Sequence, residues 1–131
     1  MKRIWITMCL SLLIIGAGFA GGEEGFRVDE IVLCTSVEDR QPVGSGTEFP
    51  VSVERVYCFT RLSGAPDTTS IRHVWKFDGV EKAQIVLHVG AESWRTWSSK
   101  RIIPEWAGTW TVDVLSAAGD LLAKKEFRIG E

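Results

Sequence analysis

The sequence predicts an all-β domain, an antiparallel two-sheet immunoglobulin-like β-sandwich of about seven strands, preceded by a signal peptide. Three observations carry that prediction. Short runs of alternating apolar and polar residues recur at even spacing between Ile31 and Ile129, turn-forming residues separate them, and no stretch has helical periodicity.

The leader comes first. Met1, Lys2 and Arg3 supply a positive start, residues 4–15 are almost wholly apolar, and residues 16–20 are rich in small side chains, the layout of a secretory signal peptide cleaved after Ala20. The alternative is an uncleaved anchor in the inner membrane, since the apolar run approaches the lower limit of roughly 17 residues for spanning a bilayer. The glycines and the polar segment 21–24 (GGEE) favour cleavage and a periplasmic or secreted protein. Residues 21–30 read as a linker and residues 31–131 as one domain.

Within the domain, residues 31–37 (IVLCTSV) form a β-branched first strand, closed by the polar stretch 38–46. Gln41, Pro42, Gly44, Ser45 and Gly46 make a loop, and Phe49-Pro50 punctuates it. Residues 51–62 (VSVERVYCFTRL) supply the second strand region, with Tyr57 and Phe59 on one face and Val56, Cys58 and Thr60 on the other. In residues 70–77 (SIRHVWKF), Ile71, His73, Trp75 and Phe77 alternate with Arg72, Val74 and Lys76, which makes Trp75 the core tryptophan. Asp78-Gly79 between two alternating runs is a strong hairpin signal, so residues 80–89 pair antiparallel with that strand and turn Ala83, Ile85, Leu87 and Val89 inward. Residues 94–103 have strand character at both ends and stop at Pro104. Gly108 opens residues 109–115, where Trp110, Val112 and Val114 share a face, and the turn at 117–120 leads to residues 121–129, with Ala123, Phe127 and Ile129 inward.

Composition bounds what such a domain can do. A chain of 131 residues with 45% hydrophobic and 24% charged residues is a single packed globule. Loss of Lys2 and Arg3 with the leader reduces the 15 Lys and Arg to 13 against 17 Asp and Glu, a net charge of −4. Nucleic-acid binding needs a strongly basic face and is excluded on that balance, and membrane insertion is not expected after cleavage. Cys9 leaves with the leader, so the mature domain keeps Cys34 and Cys58. An even pair in an oxidising compartment points to a disulfide, the alternative being two buried free thiols on neighbouring strands. No CxxC and no His/Cys cluster is present, so neither a metal nor another cofactor is expected.

Several blocks carry a family resemblance. Cys34-Thr35 with residues 38–44 (EDRQPVG), Tyr57-Cys58-Phe59-Thr60, His73-Val74-Trp75, Trp94-Arg95-Thr96 with residues 98–101 (SSKR), and residues 106–110 (WAGTW) together resemble the bacterial family catalogued as domain of unknown function 2914. The resemblance runs from about Ile31 to Ile129. It implies a small extracytoplasmic or membrane-associated β domain, and it brings no reaction, ligand or cofactor with it.

The working surface is expected in residues 94–110 (WRTWSSKRIIPEWAGTW), which hold four of the six tryptophans and three cations. Exposed aromatics stack on sugar rings or anchor protein partners, and arginine forks bind anionic or hydroxyl-rich ligands. Trp94 and Trp97 have opposite parity, so an unbroken strand turns only one of them to the core. Trp110 goes with Val112 and Val114 to the core, which leaves Arg95, Trp97, Lys100, Arg101, Glu105 and Trp106 as the contact candidates. The bland alternative is a solvated strand face with arginine stacked on Trp97 and paired to Glu92 or Glu105. His73 has inward parity and reads as a buried histidine bonded to a backbone carbonyl, the alternative being a ligand-binding or pH-sensing role. No nucleophile and base stand in a catalytic motif, so the expected function is an exported, non-catalytic binding or interaction module of the bacterial cell envelope, with an envelope glycan or a protein as partner. A small periplasmic hydrolase, or an accessory subunit of an envelope enzyme, is the alternative; it needs His73, Glu105 or a serine to converge on a common pocket.

Overall fold

A computed structural model describes residues 25–130. Residues 1–24, which hold the predicted signal peptide and the first part of the linker, lie outside the described residues, as does Glu131. Among the described residues no helix is long and apolar enough to cross a membrane.

The architecture is all-β. Ten strands follow one another: β1 (Arg27–Cys34), β2 (Ser36–Glu38), β3 (Gln41–Val43), β4 (Glu48–Pro50), β5 (Arg55–Ser63), β6 (Thr69–Phe77), β7 (Val80–Val89), β8 (Ser93–Arg101), β9 (Gly108–Ser116) and β10 (Leu121–Gly130). They form a three-stranded sheet in the order β1-β5-β8, a five-stranded sheet in the order β4-β10-β9-β6-β7, and the β2-β3 pair. The seven predicted strands correspond to β1 and β5–β10. Three further strands of three residues each raise the count to ten.

The extra strands have physical reasons that a period of two cannot display in three residues. Asp39 and Arg40 join β2 to β3 with φ of 52° and 60°, the double left-handed turn that suits a two-residue hairpin, built here without glycine. Gly44, at φ 74°, follows β3 at a point where a Cβ would run into the Thr35 side chain, so glycine is required there. β4 pairs in parallel with β10, placing Phe49 opposite Ile129, which makes the five-stranded sheet mixed rather than wholly antiparallel. β1 begins at Arg27, four residues inside the segment read as linker. Its polar start is held by pairing with β5 and by charge: Arg27 bonds Asp29, and Arg61 of β5 reaches Asp29 and Glu30.

The predicted hairpin stands where Asp78-Gly79 placed it, with φ of 50° and 80° and Phe77 opposite Val80. The inner faces of the two larger sheets meet around Phe127. Its ring lies 5.9 Å from Trp110 in a stack, and edge-on to Trp75 at 6.0 Å and to Phe49 at 6.1 Å. Leu33, Val56 and Cys58 close this cluster from the three-stranded sheet. A second cluster of Leu62, Ala65, Ile71, Val89 and Val114 continues the same interior. Full burial of each such apolar side chain stabilises the fold by roughly 1.5–3 kcal/mol, and the pairing of β5 with β8 across this core is what holds the candidate surface in place.

Candidate functional site

The candidate surface is built on the β5-β8 ladder, whose register sorts every side chain. Leu62 opposite Trp94, Thr60 opposite Thr96, Cys58 opposite Ser98 and Val56 opposite Lys100 share the inward parity. Arg61 opposite Arg95, Phe59 opposite Trp97, Tyr57 opposite Ser99 and Arg55 opposite Arg101 share the outer one. Trp97 is therefore the outward tryptophan, half-buried and stacked on Phe59 with ring centroids 6.0 Å apart and planes 18° apart. Trp94 packs against the second core cluster and meets His88 edge-on at 5.7 Å.

Polar bonds fix the surroundings of the Phe59–Trp97 stack. Arg95 donates from Nη1 to the Arg40 carbonyl (3.1 Å), which ties the β2-β3 turn to the outer face of the sheet. Arg55 donates to Ser99 Oγ (2.6 Å), and Arg61 is neutralised by Asp29 and Glu30. Glu92 accepts from the Gly64 amide instead of pairing with an arginine beside Trp97. Tyr57, Arg55 and Arg61 thus belong to this surface although they lie some forty residues earlier in the chain, with Phe59 buried beneath Trp97. The shared parity of Tyr57 and Phe59 was visible in the sequence; their partners on β8 were not.

Lys100, Glu105 and Trp106 stand elsewhere. Lys100 has inward parity at the end of β8, with Nζ 4.6 Å from the centre of the Trp106 ring. Lys82 approaches the same ring to 5.4 Å, from the irregularity that interrupts β7 between the Trp75 and Lys76 pairings. Trp106 is half-buried, and its carbonyl accepts the Trp110 indole N–H at 2.9 Å. Glu105 is exposed on the short 3-10 turn Pro104–Trp106. Five of the six candidates accordingly fall into two places, Arg95, Trp97 and Arg101 on the outer face and Lys100 with Trp106 at the inner edge, and Glu105 is on the turn beyond.

The interior between the sheets holds a polar chain. Trp75 Nε1 donates to Ser98 Oγ (3.0 Å), and Ser98 Oγ lies 2.6 Å from His73 Nδ1. On the other side of the ring, His73 Nε2 is 3.4 Å from Thr60 Oγ1, and Thr60 donates to the Thr96 carbonyl (2.7 Å). With Trp75 donating to Ser98, the Ser98 proton is free to go to Nδ1, which leaves the neutral Nε2–H tautomer facing Thr60. Burial pushes His73 down to about 4, so it is uncharged at neutral pH. A serine and a histidine do meet, but both are buried among core side chains, and Glu105 is exposed on its turn.

The cysteines do not form the expected disulfide. Cys34 and Cys58 are both free and fully buried. Cys58 is opposite Leu33, and Cys34 is opposite Tyr57, so the pair is one residue out of step and alternation turns the thiols to opposite faces of the sheet. Burial raises both thiols above their ordinary range. Among the described residues no group of three or more His, Cys, Asp or Glu could hold a metal.

Comparison with known proteins adds a family. The model of the family described as "Protein of unknown function (DUF2914)" matches residues 68–129, from just before β6 to the end of β10. This is the family that the sequence blocks resemble, and the matched span is shorter than the resemblance, leaving the Cys34 and Tyr57 blocks outside it. No curated protein matches the chain. Among solved structures the chain is similar to a β-glucosidase from Listeria innocua in complex with glucose, at 11% identity and a TM-score of 0.46, over 81% of this chain and 16% of that one. It is also similar to a β-glucosidase from Kluyveromyces marxianus, at 14% identity and a TM-score of 0.47, over 82% of this chain and 14% of that one.

Proposed function

We propose that this chain, with its DUF2914 match over residues 68–129, is an exported, non-catalytic binding module of the bacterial cell envelope that contacts a glycan through the outer face of its three-stranded sheet. The observation that carries the reading is the Phe59–Trp97 stack, which holds a half-exposed indole in a fixed plane among Arg95, Tyr57 and Ser99. A rigid aromatic plane ringed by hydroxyl and guanidinium groups fits the alternation of apolar face and polar rim on a sugar ring. Among the described residues the large hydrophobic side chains that are exposed, Val43, Val80, Val86 and Leu121, are scattered over β3, β7 and β10, and none adjoins Trp97 in the β5-β8 ladder. A glycan therefore suits this face better than a broad protein interface does.

Three further observations support the rest of the proposal. The positive start, apolar run and small-residue end of residues 1–20 support export. The burial of His73 and Ser98 in the core supports binding over hydrolysis, and the packing of two β-sheets around Phe127 supports an immunoglobulin-like sandwich.

The test is retention of the purified domain on peptidoglycan and on envelope polysaccharide. Trp97→Ala is expected to abolish retention while leaving the thermal unfolding profile of a folded domain. Retention equal to that of the unaltered protein overturns the glycan reading, and capture of one dominant protein by cross-linking in intact envelopes would replace it.

A further inference from the structure

The end of the β5-β8 ladder carries a second feature, separate from Trp97. An open cleft of about 610 Å³ lies between the 3-10 turns Val51–Val53 and Pro104–Trp106, with Ser52, Glu54, Arg55 and Arg101 among its lining residues. Arg55 and Arg101 are directly opposite each other on adjacent strands. Like charges in that relation destabilise a sheet unless something neutralises them.

The same ladder contains an internal comparison. Arg61 and Arg95 are also directly opposed, and there the chain supplies the compensation: Asp29 and Glu30 pair with Arg61, and the Arg40 carbonyl accepts from Arg95. Among the described residues neither Arg55 nor Arg101 forms an ion pair. The Ser99 hydroxyl accepts one N–H of Arg55 and so aims its guanidinium along the outer face.

Two more cations crowd the spot. Lys100 Nζ contacts the Arg101 carbonyl at 3.4 Å and lies over Trp106, where Lys82 joins it. Lys100 is held below the usual lysine range by burial first and then by Arg55, Lys82 and Arg101. Glu54 is the one carboxylate among the residues lining the cleft, and it stands at φ 68° with its carbonyl accepting the Ile102 amide at 2.9 Å. One acid against two guanidinium groups and a neighbouring ammonium leaves a net positive cleft.

We propose that the Arg55–Arg101 cleft is a binding site for a phosphate-type oxyanion, taken by the two guanidinium forks. Two opposed forks match the charge and the several acceptor oxygens of a phosphate better than the single plane of a carboxylate. An anion here relieves the repulsion of the opposed arginines, as Asp29 and Glu30 do at the other end of the ladder. The site does not depend on Trp97, so it stands or falls apart from glycan binding.

The experiment titrates inorganic phosphate into the isotopically labelled protein and follows amide and arginine side-chain resonances, at constant ionic strength maintained with chloride. Saturable shifts centred on residues 52–55 and 101–103 are expected. Arg55→Gln with Arg101→Gln weakens binding by about tenfold or more, Arg55→Lys with Arg101→Lys gives intermediate binding, and Arg95→Gln leaves it unchanged. Parallel sedimentation with phosphatidylglycerol vesicles separates the sources of the phosphate. Co-sedimentation that is lost in the double Gln variant assigns a lipid headgroup, and its absence beside saturable phosphate binding assigns a soluble phosphate ester. Non-saturable shifts, or equal binding by the double Gln variant, overturn the proposal.

Discussion

His73 Nδ1 lies 2.6 Å from Ser98 Oγ, a contact that joins β6 of one sheet to β8 of the other through the middle of the apolar core. Its partners on either side, the Trp75 indole and Thr60, make it one segment of a polar chain that only a neutral imidazole completes.

Acid therefore acts on this ring. The imidazole gains its proton near pH 6.5 in the unfolded chain and only near pH 4 when folded. Between those values the unfolded state binds more protons, so stability falls as the pH falls through that window, by about 3 kcal/mol in all. Urea unfolding at a series of pH values should show that loss, and His73→Phe should flatten it. An unchanged slope in the variant would show that other groups carry the acid sensitivity.

Ser98 serves two partners at once. Ser98→Ala leaves the Trp75 indole N–H without an acceptor and His73 Nδ1 without a donor, both inside the core. The expected cost is about 2–3 kcal/mol of unfolding free energy, measured by urea denaturation at pH 7. A loss no larger than that of an ordinary surface serine would mean that water replaces the hydroxyl.

The thiols make a chemical prediction. Because Cys34 and Cys58 are buried and their protons are held tightly, an aromatic disulfide reagent should modify neither in the native protein and both after unfolding. Intact mass should not rise by two hydrogens on reduction.

Arg40 sits at φ 60° in the β2-β3 turn, and its known contribution to the outer face is its backbone carbonyl. Arg40→Gly keeps that carbonyl and removes the left-handed strain of about 1–2 kcal/mol, partly offset by the greater freedom of glycine in the unfolded chain. A net gain of about 0.5–1 kcal/mol in unfolding free energy is expected. A loss of stability would mean that the Arg40 side chain itself is needed.

The long strands were legible in the sequence because β6, β7 and β9 carry period-2 alternation, as in Ile71, His73, Trp75 and Phe77, and β1 carries a β-branched run. The short strands were not. Three residues carry no period, and the turn between β2 and β3 uses Asp39-Arg40 where glycine would have announced it. Parity divided Trp94 from Trp97 correctly, since it is a property of one strand. Register between strands is not, and so the disulfide failed by one residue, with Cys58 opposite Leu33. The meeting of Lys82 with Lys100 over Trp106 was likewise hidden, because it depends on an irregularity in β7 and on packing across the sheet edge.

The position of β10 bears on the order in which the chain assembles. It is the tenth strand in sequence but lies inside the five-stranded sheet, between β4 and β9, and it brings Phe127, the ring that Phe49, Trp75 and Trp110 surround. Until residues 121–130 arrive, β9 presents an open edge, β4 has no partner and the aromatic cluster lacks its centre. Closure of the aromatic cluster thus depends on contacts distant in sequence, such as Phe127 with Phe49, whereas the cluster of Leu62, Ala65, Ile71, Val89 and Val114 is made wholly of residues that precede β10.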